Sequence, residues 1–131
     1  MQLLRIDSNN DQATMFLAEL MFMKKEIESA IFHFQQLLEK RPNYYVALET
    51  LVRLLRRAGK LHETKRYIEL AENKATRPSR DAGLQFCKGL YSRYINNLNE
   101  ALHCFNLARQ DPRWGPQARY HMVEILSLIH I

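Results

Sequence analysis

Three short runs in this chain carry the same pattern of small and large apolar residues, and a repeat of that kind fixes the architecture before any single element is assigned. The first has Ala30, Phe34 and Leu37; a shift of 34 residues carries these to Thr64, Ile68 and Ala71, and a further 37 to Ala101, Phe105 and Ala108. Each run places a small residue, a large one four later and an apolar one three after that. Steps of four and three lie on one face of a helix, whereas a half-buried strand would alternate by two. Upstream partners show the same period: Thr14, Leu17, Ala18 and Met21 before the first run, and Leu48, Leu51, Val52 and Leu55 before the second. The chain therefore reads as helical hairpins. Their turns fall at Lys24-Lys25-Glu26 and Ala58-Gly59-Lys60, where Gly59 suits a left-handed helix stop. Pro42 and Pro112 stand between one hairpin and the next, where a missing N–H is tolerated. Pro78 does so two residues late on a strict count of 34.

This period, the Ala-x3-Phe-x2-Leu/Ala signature and the closing proline resemble the tetratricopeptide repeat. The resemblance covers nearly the whole chain. Within that family, the runs Leu17 to Phe22, Leu54 to Leu61, Phe86 to Tyr91, Asn99 to Leu102 and Arg113 to Gly115 are similar to the C-terminal repeats of the large all-repeat subunit of intraflagellar transport complex A. The expected fold is all-α: a tetratricopeptide-repeat solenoid of helical hairpins, truncated at both ends. Residues 1–8 are read as the tail of a preceding repeat, 11–44, 45–80 and 81–114 as repeats one to three, and 115–131 as the first helix of a partial one. The resemblance implies a non-catalytic scaffold that docks other subunits of a multi-protein complex, in the cytoplasm or the cilium. Departures from the pattern are Thr64 in place of alanine, and Lys88 and Ser92 where large apolar residues are usual. Tyr91 and Tyr94 are expected to take up that packing beside the small Gly89.

The last helix is expected to lack a partner. A first helix without its second would leave Met122, Ile125, Leu126, Leu128 and Ile129 uncovered, as an association site or an aggregation liability. The alternative is a capping helix, with those side chains buried.

Chemistry is sparse. With only 4 Gly and 4 Pro among 131 residues there is no Gly-rich phosphate loop, and no nucleophile elbow is present. His33, His62, His103, His121 and His130 do not pair with carboxylates or cysteines at zinc spacing. Cys87 and Cys104 are read as core thiols in facing helices, reduced in the cytosol. No catalytic residue, metal or cofactor is expected. No stretch reaches the ~18 apolar residues that span a bilayer, so membrane insertion is not expected. The net charge of +5 favours acidic partners. Arg53, Arg56, Arg57, Lys60, Lys65 and Arg66 could attract nucleic acid, but Glu49, Glu63 and Glu69 interleave with them and no reading element is recognisable.

In a stack of hairpins the first helices line the inner surface. Residues there that hairpin packing does not need are the candidate partner contacts: Met15, Phe16, Glu19, Phe22 and Met23 in repeat one, Glu49, Arg53, Arg56 and Arg57 in repeat two, and Arg93 in repeat three. Phe and Met beside arginines suit an acidic peptide or amphipathic helix. The competing explanation is packing against a neighbouring repeat, with the arginines merely solvated. Chaperone-binding relatives clamp a C-terminal carboxylate with Lys and Asn; Met15 and Glu19 occupy the matching places, so an adaptor role would lack that clamp.

Overall fold

Short-range signals set several of the helix ends. The computed structural model describes residues 11–23 and 26–129, the side chains of residue 18 and residues 20–23 excepted. Seven α-helices run through this part: α1 (Asp11–Met23), α2 (Ile27–Lys40), α3 (Tyr45–Arg57), α4 (Thr64–Lys74), α5 (Ala82–Tyr94), α6 (Leu98–Ala108) and α7 (Gly115–Ile129). Single 3-10 turns at Leu61–Glu63 and Pro78–Arg80 precede α4 and α5, and no strand occurs among the described residues. The turn at Lys24-Lys25 and the tail at 1–8 lie outside the described residues.

Pro42 ends α2 as expected: Arg41 before it is pushed out of the helical region, and its N–H makes the last bond, to the Leu37 carbonyl at 2.9 Å. Gly59 ends α3 with φ +74°. The Gly59 N–H donates to the Arg56 carbonyl at 3.2 Å and the Lys60 N–H to the Leu55 carbonyl at 2.8 Å, a Schellman pair that satisfies two orphan carbonyls. Asn96 does the same for α5, with φ 66°, bonding to Arg93 at 3.0 Å while Asn97 bonds to Ser92 at 2.8 Å. Asn97 then caps α6, its side chain accepting from the Glu100 N–H. Asp81 caps α5. Asp111 Oδ2 accepts from the Arg113 and Trp114 N–H groups at 2.8 Å each, setting the entry to α7.

The chain divides into two compact units after Thr64, inside the stretch read as repeat two. In the first, α1 packs on α2 and α2 on α3. Ala30, Phe34 and Leu37 of α2 and Leu48, Leu51, Val52 and Leu55 of α3 are buried, the residues the periodicity selects. Fully burying such side chains contributes roughly 1.5–3 kcal/mol each, an upper estimate because unfolded chains are partly collapsed. Gln35 donates to Glu63 at 3.2 Å and Lys60 pairs with Glu28 at 2.8 Å, tying the 3-10 turn to α2.

In the second unit, α5 packs on α6 and α6 on α7. Ile68 and Ala71 of α4, and Ala101, Phe105 and Ala108 of α6, are buried; so is Thr64, the last residue of the first unit. The place of the large apolar residues on α5 is a correction to the sequence reading. Leu84, Phe86, Cys87 and Leu90 fill the core, whereas Tyr91 and Tyr94 are half-buried. Gly89 explains the register: a Cβ there would stand 2.8 Å from Phe105 Cε1, so α5 and α6 meet at the bare backbone. Around that contact Phe86 lies 5.5 Å from Phe105 and 5.1 Å from Trp114, and His121 stacks on Phe105 at 4.8 Å between centroids.

The last helix is mixed. Ile125 is completely buried and Met122 half-buried, contrary to the expectation that both would be uncovered. Leu126, Leu128 and Ile129 are exposed, together with Tyr120 and Val123. Ala118 and Ile125 sit on the face that α6 covers, and only the remaining faces of α7 stay open.

Candidate functional site

The clearest candidate surface is the exposed face of α3. At 100° per residue, Glu49, Arg53, Arg56 and Arg57 cluster on one side of the helix, roughly opposite the buried Ala47, Leu48, Leu51, Val52, Leu54 and Leu55. Arg53, Arg56 and Arg57 are exposed and Glu49 is half-buried. Arg53 Nη2 lies 2.8 Å from Glu49 Oε2, an i,i+4 pair that holds the first guanidinium along the stripe. Arg56 and Arg57 fall in the last turn, where the helix dipole also favours cations, so part of their presence has a local structural cause.

On α1 the candidates divide. Phe16 is 54% exposed and Glu19 is exposed, but Met15 is only 8% exposed and has little surface to offer a partner. The cause is that α1 is buried on two sides. Ala13 and Leu17 share one face, and Met15 is buried on nearly the opposite one. The side chains of Phe22 and Met23 lie outside the described residues.

Arg93 belongs to the second unit and is engaged inside it. Its Nη1 donates to Glu124 Oε1 at 2.8 Å and lies 2.6 Å from His121 Nδ1, so α5 is tied to α7. The Arg93 hydrogen bond, then one from Tyr120, holds the Glu124 carboxyl below its ordinary range. Arg93 is thus placed as a bridge between helices. Sequence reasoning missed this pairing because His121 and Glu124 lie a helix away, and it missed Asn96, whose signal was its position 37 residues after Gly59.

The thiols are buried, Cys87 fully and Cys104 at 1% exposure. Burial and the neighbouring Glu100 carboxylate, which the Cys104 thiol faces at 3.5 Å, push that thiol up to about 12. It stays protonated at neutral pH and is neither a nucleophile nor a ready metal ligand. Among the described residues no group of three His, Cys, Asp or Glu side chains could hold a metal ion.

The helical architecture agrees with what known proteins show. The family model described as the TT21 fifth ARM repeats domain matches residues 11–127. Human tetratricopeptide repeat protein 21A is 42% identical over 123 residues, 94% of this chain. Tetratricopeptide repeat protein 21B of Xenopus laevis is 37% identical over 123 residues, again 94% of the chain. The homolog in Caenorhabditis elegans is 26% identical over 93% of the chain. The chain spans about 9% of the length of these curated relatives. The family description counts ARM repeats where the relatives carry the tetratricopeptide name; both are stacks of paired helices. With one family model running from α1 almost to the end of α7, this chain belongs to the tetratricopeptide repeat protein 21 family.

Proposed function

We propose that this chain is a non-catalytic interaction scaffold and that the exposed α3 stripe is where it takes hold of an acidic segment of another subunit. The observation that carries the reading is the arrangement of α3 itself. Six buried residues anchor one face, and Arg53, Arg56 and Arg57 stand on the other, on a helix closed at its C-terminal end by the Gly59 motif. Guanidinium groups pair with carboxylates in forked geometry, and a preordered helix loses little entropy on binding. Phe16 and Glu19 on α1 are further exposed side chains of the same unit.

By its likeness to the all-repeat subunit, the complex is the retrograde intraflagellar transport complex, and the place is the cytoplasm or the cilium. No described helix is long and apolar enough to cross a membrane, in keeping with a partner surface made of protein. A nucleic acid, with a charge at every phosphate, is disfavoured by Glu49 within the stripe and by the lack of a recognisable reading element.

The test is co-precipitation from ciliated cells with the tagged chain as bait. Subunits of the transport complex are expected with the wild type and lost with Arg53, Arg56 and Arg57 all changed to Glu, while circular dichroism stays unchanged. Retention of the subunits by the charge-reversed chain would move the site elsewhere. Absence of those subunits from the wild-type capture would overturn the assignment to the complex.

A further inference from the structure

A pocket of about 250 Å³ opens within the second unit, walled by α4, α5 and the start of α6. Ile68 and Tyr91 supply an apolar floor, and the exposed Ile95 stands at its mouth. Ser92 lines the wall although it is only 6% exposed, and among the described residues its hydroxyl has no hydrogen-bond partner. A hydroxyl buried to that extent and opening only on a pocket is a group waiting for a polar ligand atom.

The charge of the lining indicates which atom. Glu69, Glu72 and Glu100 stand against Lys65 and Lys88. Three carboxylates therefore face two ammonium groups, and Lys88 Nζ, within the field of Glu100, is already held 2.9 Å from Glu72 Oε2. In a chain of net charge +5 this is an acidic spot. Glu100 also accepts from the Cys104 thiol, but a carboxylate has room for several donors.

We infer that this pocket receives one arginine side chain from a partner protein, with the methylenes on Ile68, the guanidinium beside Tyr91, and its N–H groups shared among Glu69, Glu100 and the Ser92 hydroxyl. Size supports a single side chain: pockets for cofactors and drug-sized molecules run about 300–1,000 Å³. Arginine fits better than lysine because its planar fork both lies against an aromatic ring and spans two acceptors. The site goes beyond the α3 reading and is independent of it, being opposite in charge and confined to the other unit.

The probe is the blocked peptide acetyl-Gly-Arg-Gly-amide, with its lysine counterpart and its citrulline counterpart, which keeps the shape without the charge. Binding is read by NMR from the Ile68 and Ile95 methyl groups and the amides of residues 88–100. The arginine peptide is expected to give saturable shifts at these positions, with citrulline about tenfold weaker and lysine between them. Glu69→Gln with Glu100→Gln, both exposed positions, is expected to bring arginine down to the citrulline level without altering the melting curve. Citrulline or lysine binding as well as arginine would overturn the proposal. So would wild-type affinity in the double variant, or no shift at the solubility limit of the arginine peptide.

Discussion

Replacing Gly89 by alanine adds one methyl group where α5 and α6 come closest. The new Cβ would lie 2.8 Å from Phe105 Cε1, 2.9 Å from Cδ1 and 3.1 Å from Cζ, all inside ordinary van der Waals contact. The ring has nowhere to retreat: it is fully buried, stacks on His121 with planes 10° apart, and has Phe86 5.5 Å away. Two effects compete. Alanine is the better helix former by about 1 kcal/mol, while overpacking a well-filled core costs about 1–3 kcal/mol. Because the clash is with a locked ring, the overpacking cost falls in the upper part of its range, about 2–3 kcal/mol, and the net loss is about 1–2 kcal/mol. In a unit of this size that lowers the thermal midpoint by about 4–8 °C per kcal/mol. Circular dichroism in urea and on heating measures it. Phe105→Leu, which makes room, should rescue part of the loss, so that the double variant is more stable than additivity predicts by about 1 kcal/mol. A neutral or stabilising Gly89→Ala, or strict additivity with Phe105→Leu, would refute the close approach of α5 and α6.

Three further outcomes follow from the same structure. Gly59→Ala should cost about 1 kcal/mol, because an L side chain in the left-handed region is penalised by about 1–2 kcal/mol and partly compensated by unfolded-chain entropy, whereas Asn96→Gly should stabilise by about 0.5 kcal/mol; urea melts of both check the order. Thr64→Val replaces a fully buried hydroxyl, with no hydrogen-bond partner among the described residues, by a methyl of the same shape, and should raise stability by about 1 kcal/mol; a loss in the same assay would reveal a partner for that hydroxyl. Ile125→Glu buries an unpaired charge and should cost more than about 4 kcal/mol, while Leu128→Glu should stay within about 0.5 kcal/mol; equal effects in thermal melts would contradict the burial pattern of α7.

The hairpin core was legible in the sequence because burial repeats with the helix period. Ala30, Phe34 and Leu37, their counterparts at 64, 68 and 71, and those at 101, 105 and 108 are all buried. Gly59 was legible because few residues tolerate its backbone angle. Asn96 in the same role was hidden by its side chain, since asparagine occurs widely in turns and caps. Periodicity identifies which residues share a face, but not how many faces of a helix are covered. A periodic pattern therefore marks Met15, on a second buried face of α1, as free for a partner, and leaves Ile125 without a covering face, although both are buried. Long-range polar pairings leave no periodic trace at all, as with Arg93 to Glu124 and Lys88 to Glu72. Of the candidate surface, only the α3 stripe could be read from spacing alone, because one strongly amphipathic helix contains it.

The docking role of that stripe is tested most directly by a photo-crosslinking amino acid placed at Arg53 or Arg57 in ciliated cells, with Gln36, an exposed residue of α2, as the comparison. The adducts are then mapped by mass spectrometry. Adducts to an acidic segment of a transport-complex subunit are expected from both α3 positions, and none to that segment from Gln36. No such adduct from α3, or the same adducts from Gln36, would contradict it.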